Sequence, residues 1–188
     1  MQYLQGLGAK KASKMTLPTP PHYLRSYPSS LGPLWLSATD RGLSGLWFGE
    51  QKHLPDFQHS QRWQPGEHRF MQVAMAQLAR YFDGHMKGQD FQFGDALPLD
   101  LNQGTAFQQS VWQALLHIPM GGTSSYGHIA QTIGKTAAVR AVGAAVGRNP
   151  ISILVPCHRV LGKDGSLTGY AGGLDKKMAL LRLEGVLL

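Results

Sequence analysis

Two stretches decide how this sequence folds: SSYGHIAQTIG, residues 124–134, and TAAVRAVGAAVG, residues 136–147. Each carries apolar residues at helical spacing and closes on a glycine, which predicts two short helices joined by a tight turn. That is a helix-turn-helix. A second helix that reads base sequence presents long polar side chains outward. Here Val139, Val142 and Val146 are assigned to the core, leaving Ala137, Arg140, Ala141 and Ala144 on the outer face. Alanine offers base edges neither donor nor acceptor. Such a face suits close approach to a nucleic-acid backbone or to the minor groove, where sequence information is degenerate. The same alanines would also serve as helix formers packed against another domain.

The flanks extend the pattern. Thr105-Ala106-Phe107-Gln108 fits a capping box and predicts a helix that buries Phe107, Val111, Trp112 and Leu115 and closes at Pro119 and Gly121-Gly122. Downstream, RVLGKDGSLTGY (159–170) sets Lys163-Asp164-Gly165 between apolar flanks and predicts a hairpin or wing. LDKKMALLRLEG (174–185) is amphipathic and predicts a last helix. Upstream, GPLWLSATDRGLSGLWFG (32–49) predicts a β-hairpin turning at Asp40-Arg41-Gly42. FMQVAMAQLARYFDG (70–84) predicts a helix burying Met71, Met75, Leu78 and Phe82 and stopping at Gly84. Residues 51–69 show no period, and DALPLDLNQGT (95–105) reads as a linking strand. The expected fold class is therefore α+β with two domains. Residues 22–98 form a small N-terminal sheet-and-helix support domain. Residues 99–188 form a mainly helical C-terminal domain of winged helix-turn-helix type, and residues 1–21 are expected to be a flexible basic tail.

Charge points the same way. The chain carries +7 overall; residues 101–188 hold eight Lys or Arg against three acids, whereas residues 1–100 hold ten against eight. An excess borne mainly by the second half fits a polyanion partner. No apolar run reaches the roughly 18 to 20 residues a membrane helix needs. The basic first 21 residues lack the apolar block of a secretory signal. One cysteine cannot form an intramolecular disulfide, so the cytoplasm is the expected compartment. Scattered histidines and a lone cysteine do not spell a metal site, and no glycine-rich nucleotide loop follows a strand, so no metal and no cofactor are expected.

That cysteine lies in ILVPCHRV, 153–160. A lone Cys after an apolar run is ordinarily a small core residue. His158 and Arg159 argue for chemistry, because they crowd a titratable and a cationic group beside the sulfur. On a strand, Cys157 and His158 would face opposite ways; a turn and a bridging water would be needed to join them.

VPCHRVL (155–161), preceded by GRNPISI and followed by GYAGG and LLRLEG, resembles the active-site half of the O6-alkylguanine-DNA alkyltransferases. The likeness spans about residues 105–187, with SSLGPLWLSATDRGLSGLWF (29–48) a weaker match in the first domain. It implies that Cys157 takes the alkyl group from guanine O6 and keeps it as a thioether. By the same resemblance, His158 is the base acting through a water, Glu184 orients it, and Asn149 braces the turn that presents the thiol. Tyr126 would press on the phosphate 3′ of the lesion and protonate the leaving guanine. The carbonyls of Cys157 and Val160, Tyr170, and the backbone N–H of Ala171 would line the guanine pocket, while Arg140 fills the gap left by the flipped nucleotide. The DNA-facing set is then Ala137, Ala138, Arg140, Ala141 and Ala144, with Tyr126. The implied partner is double-stranded DNA, held in the minor groove largely without regard to sequence by a monomer. A base stacked in a duplex must be extruded to react, at a cost of a few kcal/mol. A smooth helix with one arginine suits that task.

Many of these relatives have a histidine and a tryptophan where this chain has Leu183 and Ala179, and some hold zinc with cysteines that it lacks. Non-enzymatic lesion sensors of the alkyltransferase-like kind are the nearest alternative, and they replace the cysteine. A winged-helix regulator would need base-reading side chains, and a cysteine hydrolase would need a cleft and turnover.

Overall fold

The computed structural model describes residues 22–60, 62–86 and 97–187. The expected basic tail, and residues 95 and 96 of the expected linking strand, lie outside these. Alternating apolar positions build a four-stranded sheet from β1 (His22–Tyr27), β2 (Leu34–Thr39), β3 (Gly42–Phe48) and β4 (Trp63–Pro65). Its order is β3-β2-β1-β4. The predicted hairpin is β2 with β3, antiparallel and turning at Asp40-Arg41. Gly42 is required there because a Cβ would collide with the carbonyl of Pro98. β1 runs antiparallel to β2 and parallel to β4, a strand that the aperiodic 51–69 segment did not reveal.

Helix α1 (Arg69–Phe82) buries Phe70, Met71, Ala74, Leu78 and Tyr81. This stripe differs from the expected one: Met75 and Phe82 are only half-buried. The helix is turned so that Ala74 and Tyr81 fill the inner face.

Strand β3 is the sheet's edge, and its open side is closed by later chain. Leu43 N donates to Pro98 O (2.8 Å) and Asp100 N to Leu43 O (2.8 Å); Leu46 N donates to Pro150 O (2.9 Å) and Ser152 N to Leu46 O (2.8 Å). The expected linking strand thus contributes only an isolated bridge, Leu43 with Leu99. Asp100 also accepts from Thr39 Oγ1 (2.7 Å) and pairs with Arg41 (2.9 Å), fastening the hairpin tip to this linker.

In the second domain the capping box forms in full: Gln108 N donates to Thr105 Oγ1 (3.3 Å) and Thr105 N to Gln108 Oε1 (2.9 Å). Helix α2 (Ala106–Leu115) follows and buries Val111, Trp112, Ala114 and Leu115, with Phe107 half-buried. β5 (Ser124–Ser125) leads into α3 (Tyr126–Thr132), capped by the Ser125 hydroxyl. Gly134 (φ +66°) turns the chain in the left-handed region, the conformation that ends such helices. A 3-10 turn, Thr136–Ala138, precedes α4 (Val139–Gly147).

Two expectations fail here. Val139 is 39% exposed, because the tighter 3-10 turn shifts the phase and the core stripe becomes Val142, Ala145 and Val146. The predicted wing is not a hairpin: β6 (Val160–Leu161) pairs in parallel with β5, and residues 162–166 form only a turn. Helix α5 (Leu174–Leu183) closes the domain as expected. Trp112 Nε1 donates to Ala145 O (2.9 Å), tying α2 to α4 across the core. No helix among the described residues is long and apolar enough to cross a membrane.

Candidate active site

Cys157 begins a 3-10 turn, Cys157–Arg159, directly after Pro156. A turn therefore carries Cys157 and His158, and the opposed orientation of a strand does not arise. Asn149, just past α4, holds the approach to this turn. Its Nδ2 donates to Val155 O (2.7 Å), Ile151 O (3.2 Å) and Cys157 Sγ (3.0 Å), and its Oδ1 accepts from Ile151 N (3.0 Å). Ile153 within the loop sits at φ +68°, a left-handed conformation costly for a β-branched residue. The asparagine amide thus braces a strained loop and hydrogen-bonds the sulfur at once.

The thiol is buried, 4% exposed. Burial pushes its pKa up to about 11; the Asn149 hydrogen bond and the nearby Lys177 ammonium act against this. At neutral pH burial therefore favours the thiol form.

His158 is fully buried. Its Nε2 lies 2.8 Å from Glu184 Oε1, whereas Nδ1 has no hydrogen-bond partner among the described residues. An ionised carboxylate can only accept, so Nε2 carries the hydrogen and Nδ1 presents a lone pair. Burial lowers the His158 pKa; Glu184 opposes that, and Arg159 and Lys177 reinforce it. Glu184 caps the C-terminus of α5. Burial by itself would raise its pKa, but hydrogen bonds from His158 and Arg159 prevail and hold it down, at about 2. Arg159 grips both oxygens, Nε to Oε2 (2.7 Å) and Nη2 to Oε1 (2.9 Å), and donates through Nη1 to Ile118 O (2.6 Å). Tyr81 of α1 adds a fourth donation, OH to Oε1 at 2.8 Å.

Three residues of this network escaped the reading of the sequence: Tyr81, Arg159 as a carboxylate clamp, and Lys177. Lys177 is fully buried, its Nζ donating to Val160 O (2.6 Å) and Thr168 O (2.6 Å). Burial lowers its pKa to about 8. The signal was present: Lys177, Leu180, Leu181 and Glu184 fall at i, i+3, i+4 and i+7, one helical face.

The pocket candidates gather above the turn. Tyr170 is buried, packs edge-on to Phe48 of β3 at 6.4 Å, and has the Ser152 side chain near its hydroxyl. Gly172 lies so close to the Tyr170 and Phe48 rings that any side chain would clash. Val160 O is engaged by Lys177 and Ala171 O accepts from Lys52 N (2.9 Å), while the Cys157 carbonyl accepts from Val160 N.

On the outer surface Ala137, Arg140, Ala141 and Ala144 are exposed and Ala138 is half-buried. Arg140 makes no ion pair or hydrogen bond among the described residues. Tyr126 stands at the start of α3, its ring facing Gly143 of α4. Its hydroxyl reaches Gly169 O (3.5 Å) and accepts from Thr168 Oγ1 (3.4 Å), beside Tyr170. Among the described residues no group of three or more His, Cys, Asp or Glu gathers as metal ligands.

A family model described as "6-O-methylguanine DNA methyltransferase, DNA binding domain" matches residues 106–186. A second, the "ribonuclease-like domain" of the same methyltransferases, matches residues 22–101. The methylated-DNA–protein-cysteine methyltransferase of Mycobacterium tuberculosis is 48% identical over 163 residues, 87% of this chain and 92% of the relative. That of Methanosarcina acetivorans is 45% identical over 166 residues, 87% and 98%. The crystal structure of Mycobacterium tuberculosis OGT in complex with DNA superposes with a TM-score of 0.74 at 47% identity, covering 86% of this chain and 92% of that one. With both domains matched and identity this high over most of its length, the chain belongs to the methylated-DNA–protein-cysteine methyltransferase family.

Proposed function

We propose that this protein repairs DNA by extruding O6-alkylated guanine from the duplex and transferring the alkyl group, typically methyl, to Cys157. The observation that carries the reading is the buried chain Cys157, His158, Glu184, with Nδ1 of His158 left open while Nε2 is fixed. A water bridging Nδ1 and Sγ would pass the thiol proton to His158. The sulfur then attacks the alkyl carbon, the carbon–O6 bond breaks, and its electron pair leaves on guanine O6. Tyr126 supplies a proton to the departing base. A thioether has no exit here, since no second thiol exists in the chain, so each molecule acts once. The Lys177 ammonium favours the thiolate as it forms.

Tyr170 and the backbone around Val160 and Ala171 receive the base. The smooth outer face of α4 enters the minor groove with little regard to sequence, and Arg140 occupies the space left in the stack. The alkyl donor is the damaged DNA itself, so no cofactor is required. A monomer in the cytoplasm completes the proposal.

With methylated duplex in excess, intact-mass measurement should show one added methyl, located on Cys157, and then no further change. Cys157→Ala should bind DNA and transfer nothing. Sustained turnover, or modification at another residue, rejects the reading. Arg140→Ala should slow single-turnover repair of duplex at saturating protein far more than reaction with free alkylguanine. Equal loss on both substrates removes the extrusion role from Arg140.

A further inference from the structure

Resting on the relay just proposed, we infer that Tyr81 is a positioning residue for alkyl transfer: its hydroxyl, delivered by the N-terminal helix α1, fixes the Glu184 carboxylate against His158. The N-terminal domain thereby completes the machinery that activates the thiol, beyond supporting the fold.

The geometry separates this role from ordinary packing. Glu184 Oε1 is shared by three donors: Tyr81 OH (2.8 Å), His158 Nε2 (2.8 Å) and Arg159 Nη2 (2.9 Å). Arg159 fixes the carboxylate plane by gripping both oxygens. An oxygen has only a few acceptor directions, so occupation by the phenol limits where the imidazole N–H can lie. The Tyr81 and Glu184 side chains are both buried, so water does not compete.

The same hydrogen bond carries charge. A donor to Oε1 withdraws negative charge that would otherwise stabilise an imidazolium, which keeps Nδ1 a neutral acceptor near pH 7. The charged or titratable groups around His158 are Glu184, Arg159, Lys177, Cys157 and, through Glu184 and Cys157, Tyr81 and Tyr170. Burial, with Glu184 beside it, raises the phenol's pKa well above 10, so Tyr81 donates across the working range. Among the described residues Tyr81 is the first domain's hydrogen-bonding contact with the relay.

The test uses the full chain. Tyr81→Phe keeps the ring and removes the donor. Single-turnover transfer at saturating protein should fall roughly tenfold at pH 7. The acid limb of its pH profile and the His158 titration followed by NMR should both move to higher pH, while affinity for methylated duplex stays within about twofold. Site-specific 3-fluorotyrosine at position 81, a stronger donor of nearly equal size, should move both to lower pH, and it serves even if the phenylalanine variant fails to fold. A purely structural tyrosine would lower the melting temperature and leave both profiles in place. An unmoved acid limb in the fluorinated protein, or a Tyr81→Phe rate within twofold of wild type, overturns the inference. Glu184→Gln separates the two readings: Tyr81→Phe should add no further loss in that background. Wild-type transfer by Glu184→Gln alone would remove the relay itself.

Discussion

Two buried histidines, one in each domain, show what environment makes of the same side chain. His22 opens β1, is 4% exposed, and has both nitrogens engaged. Arg62 Nη2 reaches its Nε2 (2.6 Å), and its Nδ1 pairs with Ser44 Oγ (3.1 Å), which bonds Ser37 Oγ (2.8 Å). Because a guanidinium can only donate, Nε2 accepts and Nδ1 carries the hydrogen. Burial, with Arg62 close by, lowers its pKa to about 4. His158 also lies buried beside an arginine. There, however, the guanidinium binds the carboxylate and leaves the ring alone, and one nitrogen stays without a partner among the described residues. A histidine with both nitrogens spent is a strut; one with a carboxylate behind it and an open lone pair has the arrangement that the proposed base role requires.

The largest effect that would break this contrast is on transfer. His158→Ala should lose on the order of a hundredfold in single-turnover rate at pH 7, recovering in part as alkaline pH ionises the thiol. His22→Gln should stay within about twofold. Loss of equal size at both positions would mean that His158 is only packing.

Replacing Lys177 by Met should come next. Removing a cation that lowers the thiol pKa should raise that pKa and slow transfer roughly tenfold at neutral pH. Alkylation of Cys157 by iodoacetamide across pH reads the shift directly, and an unmoved profile confines Lys177 to its two carbonyl contacts.

His22 should show itself in stability. Its folded pKa lies below the unfolded value of 6.5, so the unfolded chain binds more protons between pH 6.5 and about 4. The contribution is complete above pH 6.5 and is lost as pH falls through that window. Wild type should lose about 3 kcal/mol more than His22→Gln between pH 7 and 4 in denaturant titrations. The smallest effect belongs to Arg62→Met, which should raise the His22 pKa by less than about one unit, measurable by NMR.

Local chemistry was legible where it was self-contained. The capping box at Thr105 and Gln108, the hairpin turn at Asp40-Arg41-Gly42 and the glycine stop at Gly134 depend on residues within four positions of one another. The wing was misread because β6 finds its partner in β5, far away in sequence, and no local turn signal reports that. Val139 was misplaced because the 3-10 turn before it is invisible to a helical period. At the site, the residues around Cys157 left its role open, and the assignment of His158, Glu184 and Asn149 came from the resemblance. Tyr81 was hidden by the choice of stripe: placing Phe82 inward turned Tyr81 aside. Lys177 was hidden by its charge, since a lysine on an apolar face is read as an edge residue until its acceptors are seen.

The closed edge of β3 carries a consequence for synthesis. A chain emerging from the ribosome completes the four-stranded sheet before residues 98–100 and 150–152 exist to cover β3. In that interval GLSGLWF presents bare amide and carbonyl groups along an apolar strand, a template for pairing with a neighbouring nascent chain. Translation pauses after the sheet, or premature stops before residue 150, should therefore yield insoluble product rather than a soluble first domain. Speed of elongation through the second domain becomes part of what keeps this protein soluble.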